Sequence, residues 1–210
     1  MAHDGEPETD RSELRRRAML EVAREVFLDK GYAAASMSEI AARVGGSKGT
    51  LYNYFSSKEE LFAAVMAHSC EKVVGEIYDQ LPRVDQDLRR GLVEFGCAFL
   101  DFLQREDVMS LHRLVIAESG RFPQVGRIFY EQGPRRGELR LAEFFQKLME
   151  AGRVRPGDAA RTGQQFKDLL VSDVLLRRQW GVMDPLRADQ VRAHAEDAVD
   201  VFLRAFQPQP

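Results

Sequence analysis

Residues 36–55, SMSEIAARVGGSKGTLYNYF, contain two short helical segments separated by a glycine turn. Ser36 and Glu39 have capping-box spacing, in which each side chain accepts the backbone N–H of the other residue. The first segment carries an apolar face at intervals of three and four: Met37, Ile40, Ala41 and Val44. Gly45 and Gly46 end this helix, because glycine adopts the left-handed C-terminal conformation without a Cβ clash.

The second segment has an unusually polar surface. It begins at Ser47 and presents a cation, a hydroxyl, an amide and two phenols within about two turns: Lys48, Thr50, Tyr52, Asn53 and Tyr54. Leu51 and Phe55, four residues apart, are left to anchor it inward. This composition suits a polar, anionic partner. The pair of segments therefore predicts a helix-turn-helix with an exposed recognition helix.

Residues 14–62 resemble the DNA-binding domain of the tetracycline-repressor (TetR) family of bacterial transcriptional regulators. The resemblance rests on LRRRAMLEVAREVFLDKGY (14–32) and SMSEIAARVGGSKGTLYNYFSSKEELF (36–62). One position departs from the family pattern, since Gly46 stands where a medium-sized apolar residue is usual. This departure weakens the packing expected behind the turn.

The resemblance implies DNA contacts from the first turn of helix 2, from helix 3 and from the start of helix 4. The matching residues here are Ser36, Ser38, Ser47, Lys48, Gly49, Thr50, Tyr52, Asn53, Tyr54 and Lys58. Lys48 and Thr50 can reach base edges, and Gly49 allows a close backbone approach. Tyr52, Tyr54 and Lys58 suit phosphates, which position a protein on DNA without reading its sequence.

Charge is distributed unevenly along the chain. The net formal charge is −3, but residues 11–58 hold nine Lys/Arg against five Asp/Glu, whereas the first ten residues hold four acids and no base. The local excess of positive charge suits phosphates. Three consecutive arginines, Arg15, Arg16 and Arg17, form either a phosphate clamp or a solvated helix face.

Composition indicates a cytoplasmic globular protein. The chain has 210 residues, 44% of them apolar, with no apolar run long enough to span a bilayer. The acidic start, MAHDGEPETD, does not resemble a signal peptide. Cys70 and Cys97 both fall in helical stretches, which favours buried thiols in a reducing compartment.

Helical periodicity and Gly/Pro breaks predict an all-α protein, with no strand pattern and no internal repeat. We expect a disordered tail at residues 1–10, a helix-turn-helix DNA-binding domain at 11–57, and a helical ligand-binding and dimerisation domain at 58–210. Residues 111–134, LHRLVIAESGRFPQVGRIFYEQGP, resemble the effector domain of AefR-like regulators. The wider family implies a homodimer through the last two long helices, here Asp158–Trp180 and Ala188–Phe206.

Two acids interrupt apolar stripes of the predicted body helices. Glu118 follows Leu111, Leu114 and Val115, and Asp173 follows Phe166, Leu169 and Leu170. Buried acids are costly unless paired, so partners such as Arg113, Arg121 or Arg177 are expected. The acids form ion pairs that hold helices in register, simply lie at the edge of the core, or serve as polar contacts of an apolar effector pocket. The pocket residues would be Phe95, Phe99, Leu111, His112, Arg113, Val115 and Glu118.

Catalysis is not expected. The four histidines have no metal-ligand spacing with one another or with the cysteines, and no phosphate loop or nucleophile motif is present. We predict neither a cofactor nor a metal. The sequence thus predicts a ligand-responsive homodimeric regulator, most simply a repressor of a palindromic operator. The alternative is a protein-interaction or ligand-sequestering module of the same fold without regulated DNA binding.

Overall fold

The computed structural model describes the backbone of residues 8–208 and the side chains of residues 11–70 and 75–208. Within these residues the secondary structure is helical, without strands, which confirms the predicted fold class. The helices are α1 (Glu8–Ala34), α2 (Met37–Val44), α3 (Lys48–Tyr54), α4 (Lys58–Tyr78), α5 (Leu88–Leu103), α6 (Glu106–Ser119), α7 (Pro123–Gln132), α8 (Pro134–Glu150), α9 (Ala159–Val171), α10 (Val174–Gln179) and α11 (Ala188–Phe206).

The helices group into two compact units. The first comprises the residues up to Cys70 together with Leu114–Gln132, and the second comprises Glu71–Arg113 together with the residues from Gly133 onward. The boundary between the units therefore falls inside both α4 and α6. This grouping differs from the domain limits expected at residues 57 and 58, because the start of α4 and the end of α6 pack with the N-terminal helices.

The core of the first unit is formed by the predicted inward face of α1. Leu20, Ala23, Val26 and Phe27 are all buried, and Phe27 meets Phe62 of α4 edge-on at a centroid distance of 5.2 Å. The regular helix of α1 is interrupted at Gly31 (φ 79°, ψ 166°), where the sequence predicted its end. Its start lies at Glu8, so the last three residues of the predicted disordered tail are helical, while residues 1–7 lie outside the described part of the chain.

The second unit has an aromatic core. In it α8 packs on α9, and α11 packs on α5 and α9. Phe166 of α9 lies at the centre of this core, with ring centroids 5.0 Å from Phe202 and 5.6 Å from Phe145. The rings of Phe95 and Phe99 on α5 stack on each other at 5.8 Å.

The sequence predicted a single helix for Asp158–Trp180. This prediction is wrong, because the segment forms two helices, α9 and α10. Asp158 caps α9 as expected, its carboxylate accepting the Arg161 N–H at 3.0 Å. The helix then ends at Val171, and Ser172 adopts φ 42° and ψ −132° before α10 begins at Val174. Serine and aspartate are weak formers of helix interiors, so Ser172-Asp173 is a favourable place for the break.

The break also changes the role of Asp173. Its carboxylate is exposed rather than buried, and it pairs with Arg177 one turn later at 3.1 Å. The predicted partner is therefore confirmed, but the prediction of a buried acid at this position is wrong.

In the described helices, no segment is both long and apolar enough to cross a membrane.

Candidate DNA interface

The first helix of the helix-turn-helix begins at an N-capping serine, as predicted. The Ser36 hydroxyl accepts the Glu39 N–H at 3.2 Å. The Glu39 carboxylate does not complete the expected capping box, since Oε1 accepts Lys30 Nζ at 2.7 Å and Arg43 Nη2 at 3.1 Å. The hydrogen bond from Lys30 is the main reason that the pKa of Glu39 lies below its ordinary value. Glu39 therefore ties α2 to the end of α1.

The turn between α2 and α3 is closed by backbone hydrogen bonds. Gly45 is left-handed (φ 77°, ψ 24°), as its position predicted, and its N–H donates to Ala42 O at 3.2 Å. The Gly46 N–H donates to Ala41 O at 3.1 Å. A Cβ placed on Gly46 would lie 3.7 Å from Thr50 Cβ and 3.9 Å from Arg15 Nη2. The family's apolar side chain is thus absent from a position with room for at least a methyl group.

The start of α3 is capped by Ser47. Its hydroxyl accepts the Thr50 N–H at 3.1 Å and lies 2.9 Å from Thr50 Oγ1. Because a hydroxyl keeps further donor or acceptor capacity, both residues can still bind a partner. Leu51 and Phe55 are buried as predicted, which fixes which side of α3 faces outward.

The outward side of α3 holds most of the predicted DNA-binding residues. The exposed residues of this set are Ser36, Ser38, Ser47, Lys48, Gly49, Tyr52 and Asn53, whereas Thr50 and Tyr54 are partly buried. Lys48 Nζ lies 5.6 Å from the centre of the Tyr52 ring, one turn away. A cation, a phenol and an amide are thereby presented together, which suits both base edges and phosphates.

Helix α1 supports this surface through contacts that the sequence did not predict. The Ser12 hydroxyl lies 3.3 Å from the Tyr54 phenol oxygen, and the Arg16 guanidinium lies over the Phe55 ring at 5.4 Å. Arg15, Arg16 and Arg17 are all exposed. Arg16 therefore packs against Phe55. Whether the three arginines bind phosphates or form a solvated helix face stays a prediction.

Lys58 is placed differently from the rest of the predicted set. Its ammonium donates to the carbonyl oxygens of Tyr32 at 2.8 Å, Ala33 at 3.2 Å and Ala35 at 3.1 Å. An ammonium has three N–H donors, so all of them are engaged by the end of α1. A phosphate contact at Lys58, as the resemblance implies, stays a prediction, and it would require at least one of these hydrogen bonds to be given up.

The residues predicted for an effector pocket fall in different places. Phe95 and Phe99 are buried in the aromatic core of the second unit. Leu111, His112 and Arg113 also belong to that unit, whereas Val115 and Glu118 belong to the first. A single pocket walled by these residues stays a prediction.

His112 and Arg113 both bind α10. His112 Nδ1 lies 3.2 Å from Gln179 Nε2, and burial lowers the pKa of His112, which keeps the ring neutral near pH 7. Arg113 pairs with Glu106 at 2.7 Å and donates to the carbonyl oxygens of Arg178 and Gln179 at 3.2 and 3.4 Å. Arg113 therefore does not pair with Glu118, and it caps the C-terminal carbonyls of α10 instead.

A small cavity of about 10 Å³ lies beside Arg178, which is itself buried. That volume is about the size of one water molecule. Arg178 donates to Met183 O at 2.9 Å and Gln104 O at 3.4 Å, but its Nε has no hydrogen-bond partner among the described residues. The other lining residues are mostly apolar: Leu100, Leu103, Met109, Val171, Val174 and Leu175.

A short capped helix with an exposed polar face, seated on two supporting helices behind a glycine turn, defines a helix-turn-helix DNA-binding protein. Residues 19–65 match the family described as bacterial regulatory proteins, tetR family. Residues 90–208 match the C-terminal domain of AefR-like transcriptional repressors. The chain therefore belongs to the TetR family of transcriptional regulators. Its relatives are regulators rather than enzymes, which agrees with the sequence prediction.

Individual relatives show the same resemblance. The transcriptional activator FasR of Mycolicibacterium smegmatis is 44% identical over 92 residues, which cover 44% of this chain and 42% of FasR. A TetR-family regulator of Mesorhizobium loti has a similar structure, with a TM-score of 0.83 and 29% identity over 94% of this chain and 98% of that one. The flavonoid-responsive regulator FrrA also has a similar structure, with a TM-score of 0.82 and 30% identity over 94% of this chain and 100% of FrrA.

Proposed function

We propose that the chain is a homodimeric repressor that binds a near-palindromic operator and is released by a small apolar effector. The observation that carries this proposal is the exposed polar face of α3, held outward by the buried Leu51 and Phe55. A helix of seven residues offers few contacts, so two copies related by a two-fold axis are needed for tight binding. Because the proposed partner is DNA, the proposal includes a cytoplasmic location.

The dimer would use the surface of the C-terminal helices. Large apolar side chains are exposed on α10, just after it, and on α11: Leu176, Trp180, Val182 and Val201. Exposed apolar residues of this size favour burial against a second copy. The recognition helices of the dimer would then lie roughly 34–36 Å apart, or at a longer helical multiple, to reach successive major grooves.

The effector would enter the body near α5 and α6. The support is the aromatic pair Phe95 and Phe99 and the neutral imidazole of His112, which can orient an otherwise apolar molecule. FrrA is named as flavonoid-responsive, so planar aromatic compounds are the first ligands to test. A matching compound should raise the melting temperature by mass action and release the DNA.

The experiment is to select DNA fragments from the protein's own genome with the purified full chain and to measure binding by fluorescence anisotropy at several salt concentrations. We expect a two-fold symmetric site and an affinity that falls steeply with salt. Equal affinity for all fragments would favour the sequestering module instead. FasR is named as an activator, so a reporter fused to the selected promoter must determine the sign of regulation.

A further inference from the structure

The end of α1 is held by two oppositely charged side chains from distant parts of the chain. Lys58 of α4 binds the carbonyl oxygens of Tyr32, Ala33 and Ala35, as described above. Glu118 of α6 accepts the backbone N–H of Ala33 at 3.3 Å. The N–H and the C=O of Ala33 are thus bound by a carboxylate and an ammonium.

The close approach of Glu118 depends on Gly31. A Cβ at Gly31 would lie 2.5 Å from Glu118 Oε1, and the residue has φ +79°, which L side chains rarely adopt. The glycine therefore breaks the helix and also makes room for the carboxylate. Tyr32 of this segment also packs against Phe122, at a ring-centroid distance of 5.4 Å, and its ring centre lies 4.6 Å from Lys58 Nζ.

We call the hydrogen bonds of Lys58 and Glu118 to residues 32–35 the clamp. The residues that it holds lead directly into the helix-turn-helix. Ala35 precedes Ser36, whose hydroxyl caps α2, and α2 in turn supports α3. The direction in which the chain leaves residues 32–35 therefore sets where α2 and α3 begin relative to α1. Charged groups form stronger hydrogen bonds to the backbone than neutral ones, so this clamp is well suited to hold that direction.

We infer that Glu118 is a positioning residue for DNA binding, which acts on the recognition helix through Ala33 and together with Lys58. This role differs from those considered for Glu118 from the sequence, which were an effector contact, an ion pair with a neighbouring arginine and a place at the edge of the core. The inference rests on the proposed function, since it concerns the affinity for an operator.

The test compares Glu118→Gln, Lys58→Met and the double variant with the wild-type chain on its selected operator. We expect each single variant to bind the operator on the order of tenfold more weakly, as is typical for residues that modulate a site without touching the ligand. The double variant should bind no more weakly than the single variants, because both substitutions open one clamp. Glu94→Gln, an exposed acid of α5 paired with Arg90, is the charge-matched control and should bind normally.

Two further measurements separate positioning from other roles. The salt slope of operator binding should be unchanged in Glu118→Gln and in Lys58→Met, whereas loss of a phosphate contact at Lys58 would lower it by about one. The amide hydrogen of Ala33 should exchange faster in Glu118→Gln at an unchanged melting temperature. A variant that melts earlier but binds the operator normally once folded would show a purely structural role and overturn the inference. Failure of the wild-type chain to bind any fragment would instead count against the proposed function.

Discussion

The phenol of Tyr78, at the end of α4, lies against the backbone of Gly137 in α8. A Cβ at Gly137 would be only 2.2 Å from the Tyr78 hydroxyl oxygen and 2.7 Å from the ring carbon that bears it. Both residues are buried, so neither can move aside into solvent. The glycine therefore allows α4 and α8 to approach each other within the second unit.

We predict that Gly137→Ala destabilises the protein by about 1–3 kcal/mol, because the added methyl overpacks this contact. The matched control is Gly75→Ala, also in a helix, where a Cβ would meet nothing within 4 Å. That change should stabilise the protein by roughly 0.5–1 kcal/mol through better helix propensity. Urea denaturation measures both, and an equal effect of the two substitutions would contradict the packing argument.

The two glycines of the turn should respond differently to alanine. Gly45→Ala should cost about 1–2 kcal/mol, because Gly45 is left-handed at φ 77°. At Gly46 the new Cβ would make only ordinary contacts, at 3.7 Å or more, and the substitution should gain about 0.4–1 kcal/mol by restricting the unfolded chain. Thermal unfolding followed by circular dichroism checks both. A large loss at Gly46 would mean that its flexibility is needed.

Lys48→Ala should weaken operator binding by roughly 1–3 kcal/mol and relax the preference at one base-pair position, if the exposed lysine reads a base edge. The measurement is binding to the operator and to its single-base variants. Lys147→Ala on α8 of the second unit serves as the charge-matched control and should leave the preference intact. A uniform loss over all sequences would assign Lys48 to a phosphate instead.

We predict that the contribution of Glu39 to the stability of the helix-turn-helix depends on pH. Its pKa is lowered in the folded state, first by the hydrogen bond from Lys30, so its contribution to stability is complete above the unfolded value near 4.5. That contribution is lost as the pH falls through 4.5 toward the lower folded pKa. The melting temperature of Glu39→Gln should therefore approach that of the wild type between pH 5 and about pH 3. A constant difference across this range would show that the carboxylate charge is unimportant.

Trp180 provides a probe of the proposed dimer. It is the single tryptophan of the chain and its side chain is 70% exposed in the protomer. If the end of α10 lies in the interface, the fluorescence of Trp180 should shift to shorter wavelength as the protein concentration rises from nanomolar to micromolar. Trp180→Ser should weaken dimerisation in analytical ultracentrifugation. A dimer that forms without any spectral shift would place the interface elsewhere.

Local features of this protein followed from its sequence alone. Capping serines, left-handed Gly45 and the buried pair Leu51 and Phe55 are determined within one or two helical turns, where residue type and spacing are enough. The family resemblance identified the helix-turn-helix for the same reason, since its motif is contiguous. The helix break at Ser172 was not predicted from the sequence, because the local preference of serine and aspartate against helix interiors is weak.

Contacts between distant segments were decided only by the tertiary structure. Lys58 was expected at a phosphate, yet its acceptors lie 23 to 26 residues earlier in the chain. Glu118 was expected to meet an arginine, yet it binds a backbone N–H 85 residues away. Apolar periodicity shows that a helix face is buried, but it does not show which polar group will meet an acid or a lysine there. That choice depends on how the helices pack, because a partly buried charge binds whichever partner the packing places beside it.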